Sequence, residues 1–169
     1  MKRRDGATFD GFADWYQAEF SSAVAAVRLA IGDARLAEDA VSEAFARALV
    51  SWPKVRLMAS PNGWLYRVAL NQSRTWLRRN RRERRHFEET GRALCDDRTH
   101  EPDNRLWRAV SSLPPRARTA IALRYVADLP EKQVAAAMGV TRGTVATTLH
   151  RARIELARQL SVELEEHRR

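Results

Sequence analysis

Apolar residues return every three or four positions through nearly the whole chain, and no segment alternates convincingly with a period of two. The stretch from Phe9 to Leu29 sets the pattern, with Phe12, Trp15, Tyr16, Phe20, Val24, Val27 and Ile31 recurring at helical spacing. That spacing confines the chain to an all-α fold. Gly32 breaks the first helix and Asp33 offers a carboxylate to cap the next. "ARLAEDAVSEAFARALVSW" turns Ala37, Val41, Ala44, Phe45, Ala48 and Leu49 inward and Glu38, Asp39, Ser42 and Glu43 outward, and Pro53 is expected to stop it. "PKVRLMAS" reads as a loop carrying Lys54 and Arg56. Ser60 before Pro61 is a cap with proline at the first helical position. The helix it opens runs through "NGWLYRVALNQSRTWLRRNRRERR", with an expected core face of Trp64, Leu65, Val68, Ala69 and Trp76.

Further on, "NRLWRAVSSL" is a short helix ended by Pro114-Pro115, and "RARTAIALRYVADL" is the next. After Pro130, "EKQVAAAM" and "RGTVATTLHRARIELARQLSVELEE" are two helices joined by "GVT". Their spacing is that of a helix-turn-helix. Ala135 falls where two helices cross and only a small side chain fits. Gly139 occupies the turn, where positive φ is cheap for glycine, and Val145 anchors the second helix. An ordinary helical hairpin shares much of this pattern; the basic charge around it favours DNA. On that reading the second helix buries Val145, Leu149, Ala152 and Leu156. It turns Arg142, Gly143, Thr144, Thr147, Thr148 and Arg151 toward a major groove. Thr147 and His150 are placed to touch base edges, and Arg151 to bond guanine or a phosphate.

The net charge of +9 points to an acidic partner, and its distribution divides the chain. Residues 71–85 carry net +6, 86–104 net −4 and 105–169 net +6. The acidic stretch, with Gly91 and Pro102 and little apolar periodicity, reads as a flexible linker between two small helical domains, 1–85 and 105–169. Lys2, Arg3 and Arg4 are followed by Asp5 and Asp10 rather than by an apolar core, so no secretory leader or membrane insertion is expected, and a cytoplasmic location follows. Cys95 alone forms neither an internal disulfide nor a zinc cluster, and no metal or other cofactor is expected.

With these stretches in hand, the sequence resembles the extracytoplasmic-function sigma factors of bacterial RNA polymerase. The resemblance rests on "AEDAVSEAFARAL" and "NGWLYRVALNQSRTWLRR" in the first half. In the second it rests on "SSLPPRARTAIALRYVADL" and "VTRGTVATTLHRAR". It implies a region-two bundle over 1–85 that binds core polymerase and the −10 element, and a region-four helix-turn-helix over 105–169 that binds the −35 element. Asp39 and Glu43 match the face that docks on the polymerase. Lys54, Arg56, Arg67, Asn71, Arg74 and Arg78 match the part that captures the non-template single strand, with Arg67 and Asn71 as contact residues and the rest gripping phosphates. Arg116, Arg118, Arg142, Thr144, Thr147, Thr148, His150 and Arg151 match the part that binds −35 duplex. An anti-sigma protein is an implied further partner. The chain departs from the family at Ala146 and Thr148, where many members are basic, and at Thr75, where an aspartate is frequent.

Two other classes are open to a basic helical protein. A dimeric helix-turn-helix regulator needs the second half but neither the acidic helix nor the arginine-rich groove of the first. A nuclease or recombinase needs clustered carboxylates or an activated nucleophile, and no spacing supplies them, so no catalysis is expected. "WLRRNRRERR" puts six arginines into the eight residues after Leu77, a density suited to phosphates rather than to reading bases.

Overall fold

The computed structural model describes residues 11–89 and 105–166, with side chains placed for 11–79 and 106–161. The acidic stretch 90–104, Cys95, and the side chains of the arginine run beyond Arg79 lie outside the described residues. Every regular element among the described residues is helical. The first half holds α1 (Phe12–Ile31), α2 (Ala34–Val50), α3 (Trp52–Val55) and α4 (Pro61–Glu89). The second holds α5 (Arg105–Ser112), α6 (Pro115–Ile121), a π-helical turn (Ala122–Val126), α7 (Glu131–Met138) and α8 (Arg142–Glu166).

The helix ends follow the local chemistry. Gly32 closes α1 at φ 74°, its N–H bonding to Arg28 O. Asp33 caps α2 by accepting from Leu36 N at 2.9 Å. Ser60 caps α4 by accepting from Gly63 N at 2.9 Å. Pro53 does not simply end a helix: it sits in the first turn of α3, a register its fixed φ favours, so "PKVRLMAS" begins helical and becomes a loop only at Arg56.

α2 and α4 pack together and α1 lies across both, burying Ala23, Val27, Val41, Phe45, Leu65 and Leu70. The inward face of α4 is rotated from the expected one. Leu65 and Ala69 are buried as expected, but their companions are Tyr66, Leu70 and Ser73, while Trp64, Val68 and Trp76 are only half-buried. Ser73 tolerates burial because its hydroxyl donates to Ala69 O at 2.8 Å. Trp64 packs instead on a satellite cluster of Ala48, Trp52 and Val55.

In the second half α6 and α7 pack on α8, and Leu113, Ala120, Leu123, Val134, Val145 and Leu149 fill the interior. The two helical domains pack against each other. α1 packs on α6 and the π-turn, α4 packs on α7, and a single hydrophobic cluster runs through both. Polar contacts cross the seam as well. Ser22 Oγ donates to Val126 O at 3.0 Å, and Arg118 Nε donates to Ala30 O at 3.1 Å. The Arg28 guanidinium lies 5.8 Å from the Trp107 ring centroid.

Candidate nucleic-acid interface

Arg67, Asn71, Arg74 and Arg78 stand at successive spacings of four, three and four along α4, which places them on one face of the helix. All are exposed, while Tyr66, Leu70 and Ser73 hold the opposite side in the core. Beside the N-terminal end of α4 lie Lys54 in α3 and Arg56 just after it, both exposed. This end is footed on aromatic rings: Trp15 stacks on Trp52 at 5.0 Å, Phe12 meets Trp52 edge-on at 5.3 Å, and Trp15 Nε1 donates to Asn62 Oδ1 at 2.7 Å. The loop therefore hangs from a rigid base.

Sequence reasoning missed two residues at its tip. Leu57 and Met58 are 79% and 40% exposed between the cation Arg56 and the capped start of α4. The signal was two large apolar side chains in a segment with no helical partner. Exposed in this way they add an apolar surface to the cationic loop.

The helix-turn-helix forms as its spacing requires. Val134, Ala135, Val145, Leu149, Ala152 and Leu156 are buried, and Gly139 takes φ 67° at the turn. Val140 N bonds Ala135 O at 3.1 Å to close that turn. Thr141 caps α8 by accepting from Thr144 N at 3.2 Å. Arg142, Gly143, Thr144, Thr147, His150 and Arg151 are exposed along the outer face, whereas Thr148 is half-buried. Thr148 and Arg151 line a surface hollow with Arg116 and Glu155. Paired with Arg158 at 2.7 Å and hydrogen-bonded by Gln159, the Glu155 carboxyl is held down to about 2, so this negative charge is fixed beside the hollow.

Arg116 and Arg118 part company. Arg116 is exposed. Arg118 is half-buried, with its guanidinium donating to Ala30 O and to Ser111 O at 2.9 Å, so it joins the ends of α1 and α5. In the region-two half, Asp39 is exposed but Glu43 is half-buried and pairs with Arg47 at 2.8 Å, an i,i+4 contact along α2. Among the described residues there is no group of three or more His, Cys, Asp and Glu side chains able to hold a metal, and no helix is long and apolar enough to cross a membrane.

An all-helical body carrying one helix-turn-helix and one separate helix with an exposed cationic stripe defines a two-element protein with two basic faces. Comparison with known proteins gives the class. Residues 22–83 match the family model for sigma-70 region 2, and residues 103–156 the model for sigma-70 region 4. Among curated proteins, the chain is 31% identical over 126 residues to the RNA polymerase sigma-E factor of Streptomyces antibioticus, covering 73% of this chain and 70% of that protein. It is 32% identical over 126 residues to RNA polymerase sigma factor SigV of Bacillus subtilis, covering 72% and 76%. In fold it matches the sigma factor RpoE of Bartonella quintana, solved in complex with the anti-sigma factor NepR, with TM-score 0.72 and 21% identity over 91% of this chain and 98% of that one. The chain belongs to the sigma-70 family of RNA polymerase sigma factors, in its extracytoplasmic-function group.

Proposed function

We propose that the chain is a dissociable initiation subunit that binds bacterial core RNA polymerase, captures the −10 element through residues 1–85 and reads the −35 element through residues 105–169, with 86–104 as the connection. The observation that carries this is the presence, in one chain, of the exposed Arg67/Asn71/Arg74/Arg78 stripe on α4 and the formed helix-turn-helix. A regulator binding duplex alone has no use for the first. Arg67 and Asn71 contact unstacked bases of the non-template strand, with Lys54, Arg56, Arg74 and Arg78 on phosphates. Arg142, Thr144, Thr147, Thr148, His150 and Arg151 face the −35 duplex, with Arg116 at its backbone. Arg118, bonded inside the protein, supports that half rather than touching DNA. Asp39 presents free negative charge to the polymerase and Glu43 a carboxylate already shared with Arg47.

The chain supplies recognition and melting, and the polymerase supplies the chemistry. It works in the cytoplasm, and an anti-sigma protein holds it in reserve, as NepR is bound to the RpoE that shares its fold. The test is run-off transcription from a matched promoter with purified core polymerase, with and without the chain. Initiation only when it is present supports the reading; tight DNA binding without any initiation by core overturns it. Asn71→Ala should impair open-complex formation at least tenfold more than closed-duplex binding. Equal losses in the two assays would remove Asn71 from the single-strand site.

A further inference from the structure

We infer that the first two turns of α8 read thymine through its C5-methyl group, with Thr147 as the specificity-determining residue; this rests on the assignment of α8 to the −35 duplex.

Thr147 is exposed on the outward face, but its hydroxyl is not available as a donor. Oγ1 donates to Gly143 O at 3.0 Å, one turn back along the same helix. A threonine Cβ carries one oxygen and one methyl group, so with the oxygen turned onto the backbone the methyl is left to face outward. The Thr144 hydroxyl is paired differently, with the Thr141 hydroxyl at 2.9 Å. Gly143 adds no side chain between them. A Cβ built there meets nothing nearer than Thr141 Oγ1 at 3.9 Å, so open space lies beside Thr147.

From residue 143 to 149 the sequence is Gly-Thr-Val-Ala-Thr-Thr-Leu, without an arginine, lysine, histidine or amide side chain. Arg142, immediately before, lies 3.5 Å from Glu131, and the next cation is at Arg151. In the major groove guanine offers only the acceptors N7 and O6, which call for donors, whereas thymine offers a methyl group beside its one acceptor. A methyl-bearing surface on which the Thr147 hydroxyl proton is already engaged suits the thymine edge and leaves a guanine unsatisfied. Guanine reading by this helix falls to Arg151 instead.

The test uses holoenzyme made from the full chain and core polymerase. A library with a randomised −35 segment is selected for binding, and each thymine of the winning sequence is then replaced by uracil, which removes only the C5-methyl. At one thymine the replacement is expected to weaken binding about fourfold, the value of one buried methyl group. Thr147→Val, which keeps a methyl outward, should respond as the parent does. Thr147→Ser, which loses it, should bind the thymine and uracil versions equally, with an unchanged melting temperature. Uracil without effect at every thymine, a response that survives in Thr147→Ser, or a selection that yields no preference or a guanine dependent on Thr147 overturns the inference. Run-off transcription on the same preparation is scored apart, so a chain that fails to initiate sinks the sigma reading rather than the base reading.

Discussion

Tyr66 is fully buried on α4, and its phenol oxygen has no hydrogen-bond partner. The Ser22 hydroxyl beside it is already given to Val126 O. Burial pushes the phenol up to about 12, and the Glu19 carboxylate adds to the rise. The folded state thus holds the proton more tightly than the unfolded chain, whose tyrosine ionises near 10. The contribution to stability is complete below pH 10 and is lost as pH rises from there through about 12. Tyr66→Phe should unfold at the same or slightly higher urea concentration at pH 7, because no hydrogen bond is lost. It should also lose less stability than the parent between pH 9 and pH 11.5. Identical pH profiles for the two proteins would contradict this account of the phenol. Arg118 shows why single residues outrun sequence reading. Its spacing from Arg116 gave both the same role, and only the arrival of Ala30 O, 88 positions earlier in the chain, separates them. Arg118→Ala should lower unfolding stability by about 1–3 kcal/mol. Arg116→Ala should leave it nearly unchanged and lower DNA affinity instead, as urea and binding titrations can distinguish.

At the scale of elements, most of the helices were legible, because caps and breakers are local. Gly32, Asp33, Ser60 and Gly139 act where the sequence places them. Two features were not. The face of α4 turned, because Leu70 finds the seam with the second half while Trp64 finds the α3 cluster, and neither neighbour is near in sequence. The π-turn at Ala122–Val126, which ends with Ala127 N on Ala122 O at 3.1 Å, follows from tertiary packing and carries no sequence signal. The two glycines flanking the turn of the helix-turn-helix make a matched test. Gly139 has φ 67° with nothing within 4 Å of a built Cβ, so Gly139→Ala meets no clash and costs only the left-handed conformation, about 1 kcal/mol or somewhat more. Gly143 lies within α8 in open space, so Gly143→Ala should gain up to about 1 kcal/mol of helix propensity. Thermal melts should therefore move in opposite directions. A shared direction would mean that the two glycines do not serve the turn and the helix as described.

Charge blocks drew two domains on the sequence, and the fold joins them through one core. Leu70 and Leu77 of α4, Ile31 of α1 and Met138 and Val140 of the second half line a cleft of about 440 Å³ along their seam, beside Arg74, and the clusters on either side are continuous. Nothing in composition could have shown this, since the seam is built from the same alanines, leucines and valines that fill each half. The shared core should make urea unfolding of the free chain a single transition by tryptophan fluorescence and by circular dichroism alike. The seam also bears on the proposed function. Elements named for positions 25 base pairs apart are separated by roughly 85 Å of straight duplex at about 3.4 Å per pair. A compact body of this length is only about 40 Å across, so with α4 and α8 bound together on one promoter, the packing of α4 on α7 and of α1 on α6 in the free chain cannot be kept. The seam must part when polymerase and promoter are engaged, and the ordered contacts of Ser22 with Val126 and of Arg118 with Ala30 are among those that break. Fluorescent labels at Gln17→Cys on α1 and Ala157→Cys on α8, both exposed positions, in a Cys95→Ser background, report the event. Energy transfer should be high in the free chain and fall sharply once the initiating complex has formed. An initiating complex with the transfer of the free chain would mean that both elements are read from the closed body.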